Sequence, residues 1–211
     1  MSDHDPEQAA ARANLCRFLA ACYYEPGPEF AEEKLFDSMH DAARRLDPDF
    51  ADRTRRLGEA FASTDPETLL VDYTRLFLGP VNALAKPYGS VWMSGEATLM
   101  QDSTMDVLSL YREGGFDLDE GFRELPDHVA AELEFLYLLL YRENEAHRNS
   151  DVDALMATTT LRQRFLAAHL GAWIAPFTDA AERGAGTGFY RELAALTRAF
   201  VAAEARRARD S

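Results

Sequence analysis

The residues best suited to acid–base or ligand chemistry are Asp127 and His128, which are adjacent, with Glu124 before them and Glu132 one helical turn after the histidine. Because a histidine titrates near neutral pH and a carboxylate can orient its ring, the pair predicts an acid–base or single-metal site. The alternative is local structure, in which Asp127 favours a helix N-terminus and His128 pairs with Glu132. No nucleophile or second ligand cluster accompanies the pair, so no catalytic residue is assigned.

Other signatures of enzymes and cofactor sites are missing from the sequence. It has no glycine-rich phosphate loop, no cysteine pair at metal-binding spacing and no Glu-x-x-His motif of the kind used by di-iron bundles. Trp173 and Phe177, four residues apart, indicate core packing more than an aromatic ligand box. Neither a cofactor nor a metal is therefore expected. The remaining histidines show no ligand spacing: His4, His40, His147 and His169.

The elements that must position these residues are predicted to be helices, because helical periodicity dominates and no segment alternates over strand length. The helix from 126 to about 147 is apolar nearly all round and is expected at the centre of a bundle. The sequence predicts an all-α, single-domain bundle of roughly nine helices over residues 1–211, with a hinge or surface loop at 114–125. The other helices are predicted at about 6–24, 29–46, from 48 onward, 66–77, 96–113, 152–169, 171–182 and 187–209.

One predicted loop, residues 79–95, has an unusual composition. It contains Tyr88, Val91 and Trp92 together with Pro87 and Gly89. A solvated linker does not normally carry three large apolar side chains so close together. We therefore expect this loop to pack against the bundle.

The bulk composition limits the classes of partner. The 211 residues are 47% hydrophobic, which suits one sizeable core, and 36 acidic against 22 basic side chains give a formal net charge of −14. Nucleic acid and anionic membrane surfaces would be repelled by this charge. A cationic partner, such as a peptide carrying arginines, would be attracted. The alternative is that the acidity serves solubility alone.

The two cysteines and the N-terminal sequence predict the compartment. Cys16 and Cys22 lie six residues apart on different faces of one predicted helix, so they cannot form a disulfide with each other. The N-terminus is acidic where a signal peptide would be basic, and no apolar run reaches membrane-spanning length. We expect a cytoplasmic protein without stable membrane insertion.

Several segments, in order along the chain, resemble motifs of the TorD/DmsD family of redox-enzyme maturation chaperones. Residues 73–80 resemble the motif Y-x-x-L-F-x-G-P, residues 86–92 resemble P-P-Y/W-x-S-V-Y/W, residues 124–128 resemble E-P-x-D-H, and residues 132–135 resemble E-L-E-F. Two departures occur: Lys86 replaces the first proline of the second motif, and the proline of the third lies one place later, at Pro126.

This resemblance implies a chaperone, not an enzyme, with the TorD-like helical fold. Its partners would be the apo form of a molybdopterin oxidoreductase of the dimethyl sulfoxide reductase type and that enzyme's twin-arginine signal peptide. The chaperone would assist cofactor insertion and delay export. Tyr23 or Tyr24 loosely matches a family tyrosine near the end of the first helix. The residues implicated by the motifs, with Glu124 added as a neighbouring carboxylate, are Tyr73, Leu76, Phe77, Pro87, Tyr88, Trp92, Glu124, Asp127 and His128.

A physical mechanism accompanies this resemblance. The twin-arginine peptide offers two guanidinium groups followed by an apolar stretch, so its receptor needs an apolar groove beside carboxylates. The alternative for Leu76, Phe77 and Trp92 is that they are core residues. Two other functions are open: a NarJ-like assembly chaperone for a molybdoenzyme subunit that is not exported, and a metal-assisted hydrolase centred on Asp127 and His128. The identity of the client is open, as is a homodimer formed by helix exchange.

Overall fold

The structure, a computed structural model, describes residues 5–27, 30, 34–79, 83–93, 102–118 and 121–210. Within these ranges it contains ten α-helices and no strand, which confirms the prediction of an all-α fold and slightly exceeds the predicted nine helices. The helices are α1 Pro6–Ala21, α2 Leu35–Arg44, α3 Pro48–Ala62, α4 Pro66–Tyr73, α5 Gly89–Met93, α6 Asp102–Glu113, α7 Val129–Asn149, α8 Val152–Ala168, α9 Leu170–Gly184 and α10 Gly188–Asp210.

Aspartates begin four of these helices. The carboxylates of Asp5, Asp47, Asp65 and Asp151 each accept a hydrogen bond from a backbone N–H in the first turn. In α1, α3 and α4 the next residue is proline, which tolerates the first helical position because it has no N–H to leave unpaired. The Asp-Pro signals at 47–48 and 65–66 therefore predicted these helix starts correctly.

Some predicted boundaries differ from the structure. The helix expected to begin at about 126 begins at Val129, because residue 128 is its N-cap. The loop predicted at 79–95 includes the short helix α5. Helix α4 continues into one turn of π-helix, Thr74–Leu78, before Gly79. Pro80 and parts of three other predicted segments (29–46, 96–113 and 114–125) lie outside the described residues.

The core is built around α7, as its apolar sequence predicted. Leu133, Phe135 and Leu136 are fully buried, and α7 packs against α1 and α8. Each buried side chain of this size contributes about 1.5–3 kcal/mol to folding. On α1, the Cys16 thiol donates to the Leu133 carbonyl oxygen at 3.2 Å. Cys22 is also buried, and neither cysteine is in a disulfide.

A buried aspartate fixes the end of α4 against the bundle. Asp72 is 4% exposed and accepts hydrogen bonds from the backbone N–H groups of Gly186 and Thr187, at the corner between α9 and α10. Arg75 also donates to this carboxylate and reaches the Gly184 carbonyl oxygen. Burial alone would raise the pKa of Asp72, but these donors outweigh it and lower the pKa. The π-helical turn that follows α4 is therefore held in place.

A membrane-spanning helix needs about 20 consecutive apolar residues. None of the described helices has an apolar stretch long enough to cross a membrane.

Candidate client-binding site

The two central motif segments, 86–92 and 124–128, meet in the structure. The backbone N–H of Gly89 donates to the Asp127 carbonyl oxygen at 2.9 Å, and that of Val129 donates to the Pro87 carbonyl oxygen at 2.8 Å. Between these bonds Tyr88 and His128 pair as an isolated antiparallel bridge. The expectation that the loop packs against the bundle is confirmed, since Pro87 and Gly89 are buried.

The Asp127 side chain supports the loop from inside. Its Oδ2 accepts the backbone N–H of Ser90 at 2.8 Å, and only 2% of the residue is exposed. Its Oδ1 has no hydrogen-bond partner among the described residues. The carboxylate thus serves the first turn of α5 in this structure. A contact between Asp127 and a client guanidinium stays a prediction.

His128 is a neutral N-cap enclosed by aromatic rings. Its Nδ1 accepts the backbone N–H of Ala130 at 3.2 Å, satisfying one of the free donors at the start of α7. The rings of Tyr88, Phe122 and Tyr24 lie 5.4, 6.4 and 6.5 Å from its ring centroid. Burial lowers the pKa of His128 to about 4, so the imidazole is uncharged at neutral pH.

Glu132 does not pair with His128, so the local alternative considered for these two residues is wrong. Its Oε2 instead accepts the indole N–H of Trp173 at 3.1 Å, and both side chains are fully buried. Burial raises the pKa of Glu132 well above its ordinary value. Trp173 in turn lies directly under the loop, because a Cβ added to Gly89 would be only 2.8 Å from its Nε1. This pair forms the floor on which the loop rests.

The first motif contributes residues to the core beside the loop. Leu76 is fully buried, and Phe77 and Tyr73 are 5% and 6% exposed. The ring of Phe77 lies 6.2 Å from that of Phe177, which is 6.3 Å from that of Trp92, so Phe177 joins the two motifs. These positions are those of packing residues. Client binding by Tyr73, Leu76 and Phe77 stays a prediction.

Trp92 and Tyr88 are only partly buried. The Trp92 indole N–H donates to the Lys86 carbonyl oxygen at 2.8 Å, which closes the loop on itself. The Tyr88 hydroxyl donates to Glu124 Oε2. Burial and this bond raise the pKa of Tyr88, so it remains the donor. The predicted residues Tyr88, Glu124 and His128 are therefore neighbours, with Glu124 partly exposed.

A cleft of about 360 Å³ opens beside His128. Two of its walls, Tyr24 and Phe122, are among the three rings that face the histidine. The hydroxyl of Tyr24 donates to Glu134 Oε1 at 2.7 Å. We refer to this feature as the aromatic cleft. It is lined by Tyr24, Phe116, Asp117, Leu118, Phe122 and Glu134.

The sequence did not single out the aromatic cleft. Glu134 belonged to the segment resembling E-L-E-F, and Tyr24 to a loose match at the end of α1, but neither had a role. Phe116 and Phe122 stood in a polar, acidic stretch interpreted as a hinge or surface loop. Only the fold brings this stretch to α1 and α7. Two other cavities, between α1 and α2 and between α1 and α7, contain none of the predicted site residues.

No group of three or more His, Cys, Asp or Glu side chains among the described residues is arranged to hold a metal ion. The side chains of Asp127 and His128 instead accept hydrogen bonds from the backbone N–H groups of Ser90 and Ala130.

A crystal structure described as a redox enzyme maturation protein from Archaeoglobus fulgidus has the same class of fold. The superposition covers 96% of this chain and 96% of the crystallised chain, with a TM-score of 0.54 and 20% sequence identity. At the level of sequence, the family described as nitrate reductase delta subunit matches residues 43–179. The chain belongs to this family, which includes TorD and NarJ proteins.

Individual relatives carry chaperone names. The "Tat proofreading chaperone DmsD" of Salmonella typhimurium is 28% identical over 191 residues, 90% of this chain and 87% of the relative. The "Chaperone protein TorD" of Vibrio parahaemolyticus is 29% identical over 133 residues, 63% of this chain and 60% of the relative. The predictions of a redox-enzyme maturation chaperone and of TorD/DmsD membership are confirmed.

Proposed function

We propose that this protein binds the twin-arginine signal peptide of a molybdopterin oxidoreductase in its apo form. It holds that client during cofactor insertion, before export. The observation that carries the proposal is the junction of segments 86–92 and 124–128. Their backbone hydrogen bonds set the partly exposed Tyr88 and Glu124 beside the buried His128. A relative named for twin-arginine proofreading supports the choice of ligand.

Charge supports the same ligand. The chain has a formal net charge of −14. The partly exposed carboxylates of Glu124 and Glu134 accept the hydroxyls of Tyr88 and Tyr24, whose rings both lie beside His128. Arginine binds carboxylates through paired N–H donors and stacks on aromatic rings, both of which this surface offers. Lysine has the same charge without the planar group. The site is therefore expected to prefer arginine to lysine.

A calorimetric titration tests the proposal. The full chain is titrated with a leader peptide that carries two adjacent arginines followed by an apolar stretch, and with the same peptide carrying two lysines. We expect the arginine peptide to bind at least tenfold more tightly, because bidentate contacts to carboxylates are lost with lysine. Equal affinity for the two peptides, or no binding of either, would contradict the proposal.

A second candidate is a NarJ-like assembly chaperone whose client subunit is not exported. The description of the matching family as nitrate reductase delta subunit favours it. Copurification separates the two candidates: mass spectrometry of the captured client shows whether an Arg-Arg leader is still attached. A client without such a leader would select the assembly role.

Three further properties belong to this proposal. The chain acts in the cytoplasm, where client subunits are synthesised and where buried thiols such as Cys16 stay reduced. It works as one domain, since one cluster of buried residues includes members of α1 through α10 except α5. A homodimer formed by helix exchange at 114–125 would appear as a doubled mass in light scattering.

A further inference from the structure

The aromatic cleft combines a flat apolar lining with an anchored carboxylate. Tyr24, Phe116, Leu118 and Phe122 are partly buried, while Asp117 is exposed at the rim. The volume of about 360 Å³ accommodates a long side chain together with part of its backbone. Ring walls of this kind suit a group that is planar and apolar on its faces.

Glu134 is held in a geometry that leaves one oxygen available. Its Oε1 accepts the Tyr24 hydroxyl at 2.7 Å, and no described residue donates to Oε2. Burial raises the pKa of Glu134 in spite of the Tyr24 hydrogen bond. A carboxylate that has lost part of its hydration gains more from a charged donor than one in bulk water, because the local dielectric is lower.

The arginine side chain has the chemistry that matches both features. Its guanidinium is planar, stacks on aromatic faces and offers donors at its edge, whereas lysine presents a compact, strongly hydrated charge. A purely apolar side chain would leave Oε2 of Glu134 desolvated without a donor. The cleft is also adjacent to the proposed peptide-binding surface, because Tyr24 and Phe122 both face His128.

We propose that the aromatic cleft binds one arginine side chain of the client peptide, with Glu134 accepting the guanidinium, Tyr24 positioning Glu134, and Asp117 adding charge at the rim. This inference rests on the proposed function and assigns one of the two arginines to a defined subsite. Glu124, which accepts the Tyr88 hydroxyl, is the carboxylate proposed for the second arginine.

The test is a double-mutant cycle between Glu134→Gln and single Arg→Ala replacements in the leader peptide. Removing the carboxylate is expected to weaken binding of the Arg-Arg peptide about tenfold, the usual size of a charge-assisted hydrogen bond. For the peptide that lacks the arginine bound in the cleft, the affinity of the same variant should be less than twofold below that of the wild type. Tyr24→Phe, which keeps the ring but not the hydroxyl, should weaken only the Arg-Arg interaction, by severalfold.

Asp153→Asn is the matched control, because it removes one exposed carboxylate from α8 that does not line the cleft. It is expected to leave the affinity unchanged. If Glu134→Gln lowers the melting temperature, the exposed Asp117→Asn variant replaces it, with an expected loss of about threefold in affinity for the Arg-Arg peptide.

Two outcomes would overturn the arginine subsite alone. In the first, the variants bind every peptide as tightly as the wild type does, while the wild type still prefers arginine to lysine, as the proposed function requires. In the second, only Phe122→Ala loses affinity, which would mean that the cleft holds an apolar side chain and not an arginine. Absence of any peptide binding by the wild type would overturn both proposals.

Discussion

At the scale of single residues, His128 illustrates how a reactive side chain is used for structure. Its Nδ1 caps α7, three aromatic rings surround it, and 3% of the residue is exposed. A protonated ring would lose the cap, since both nitrogens would then be donors. Protonation is therefore costly in the folded state, and this cost gives the histidine a measurable signature in the pH dependence of stability.

We predict that His128→Asn reduces the loss of stability at mildly acidic pH. Because the pKa of His128 is about 4 when folded and 6.5 when unfolded, the unfolded chain binds the extra proton between these values. Stability must therefore fall as the pH drops from 6.5 towards 4, by about 2 kcal/mol at pH 5 from this residue. Asparagine retains the capping acceptor without titrating.

Urea unfolding of both proteins at pH 7.5 and pH 5.0 measures this effect. Carboxyl groups with raised pKa values, such as Glu132 and Glu134, act in the opposite direction. They are present in both proteins and cancel in the difference between them. An identical decrease in the free energy of unfolding for wild type and variant would show that His128 is not held neutral.

At the scale of elements, the segment with α5 depends on contacts from two other segments of the chain. The residues just before α7 supply the Asp127 carboxylate and carbonyl oxygen, and α9 supplies Trp173. Gly89 is the point of closest approach, since a Cβ there would also be 3.0 Å from Cε2 of the indole. The indole is itself fixed by Glu132. The indole therefore cannot easily move to make room for a larger residue at position 89.

We predict that Gly89→Ala destabilises the protein by about 1–3 kcal/mol, the usual cost of overpacking a fixed core. Peptide binding should weaken in the same variant, because Tyr88 would move with the loop. Urea unfolding followed by tryptophan fluorescence is a direct measurement, since the only two tryptophans in the sequence, Trp92 and Trp173, lie on and under this loop.

Gly188→Ala is the matched control. A Cβ at this position would meet the Cβ of Ala60 at 3.5 Å, which is ordinary contact, and its stability should stay within about 0.5 kcal/mol of the wild type. If both alanine variants unfold at the same urea concentration, the close approach at Gly89 has no energetic consequence.

The sequence predicted elements better than contacts. Helix starts at Asp-Pro pairs and the buried character of α7 follow from local chemistry and periodicity, so they were predicted correctly. The partner of Glu132 is Trp173, 41 residues away, and no spacing rule links them. Likewise, the aromatic cleft joins the end of α1 to a polar stretch before α7, so only the tertiary fold reveals it.

At the scale of the whole molecule, the motif residues divide into two groups. Leu76, Phe77, Asp127 and His128 are buried, and they hold the surface on which the partly exposed Tyr88, Trp92 and Glu124 stand. A motif match alone does not distinguish these groups, since a support and a contact can be equally characteristic of a family. Burial separates them and directs mutagenesis to the exposed group first.

The net charge of −14 leads to the last prediction, which concerns the rate of association. If the acidity serves only solubility, salt should affect all peptides alike. If it steers a cationic leader, the association rate of the Arg-Arg peptide should fall about tenfold between 20 and 500 mM NaCl, because the screening length becomes shorter than the distance over which the charges act. The dissociation rate should change much less, since the bound guanidinium groups lie within partly desolvated contacts. Stopped-flow fluorescence of a labelled leader measures both rates, and the same leader with two alanines is the control. Equal salt dependence for the two peptides would mean that the charge of this protein contributes nothing to client capture.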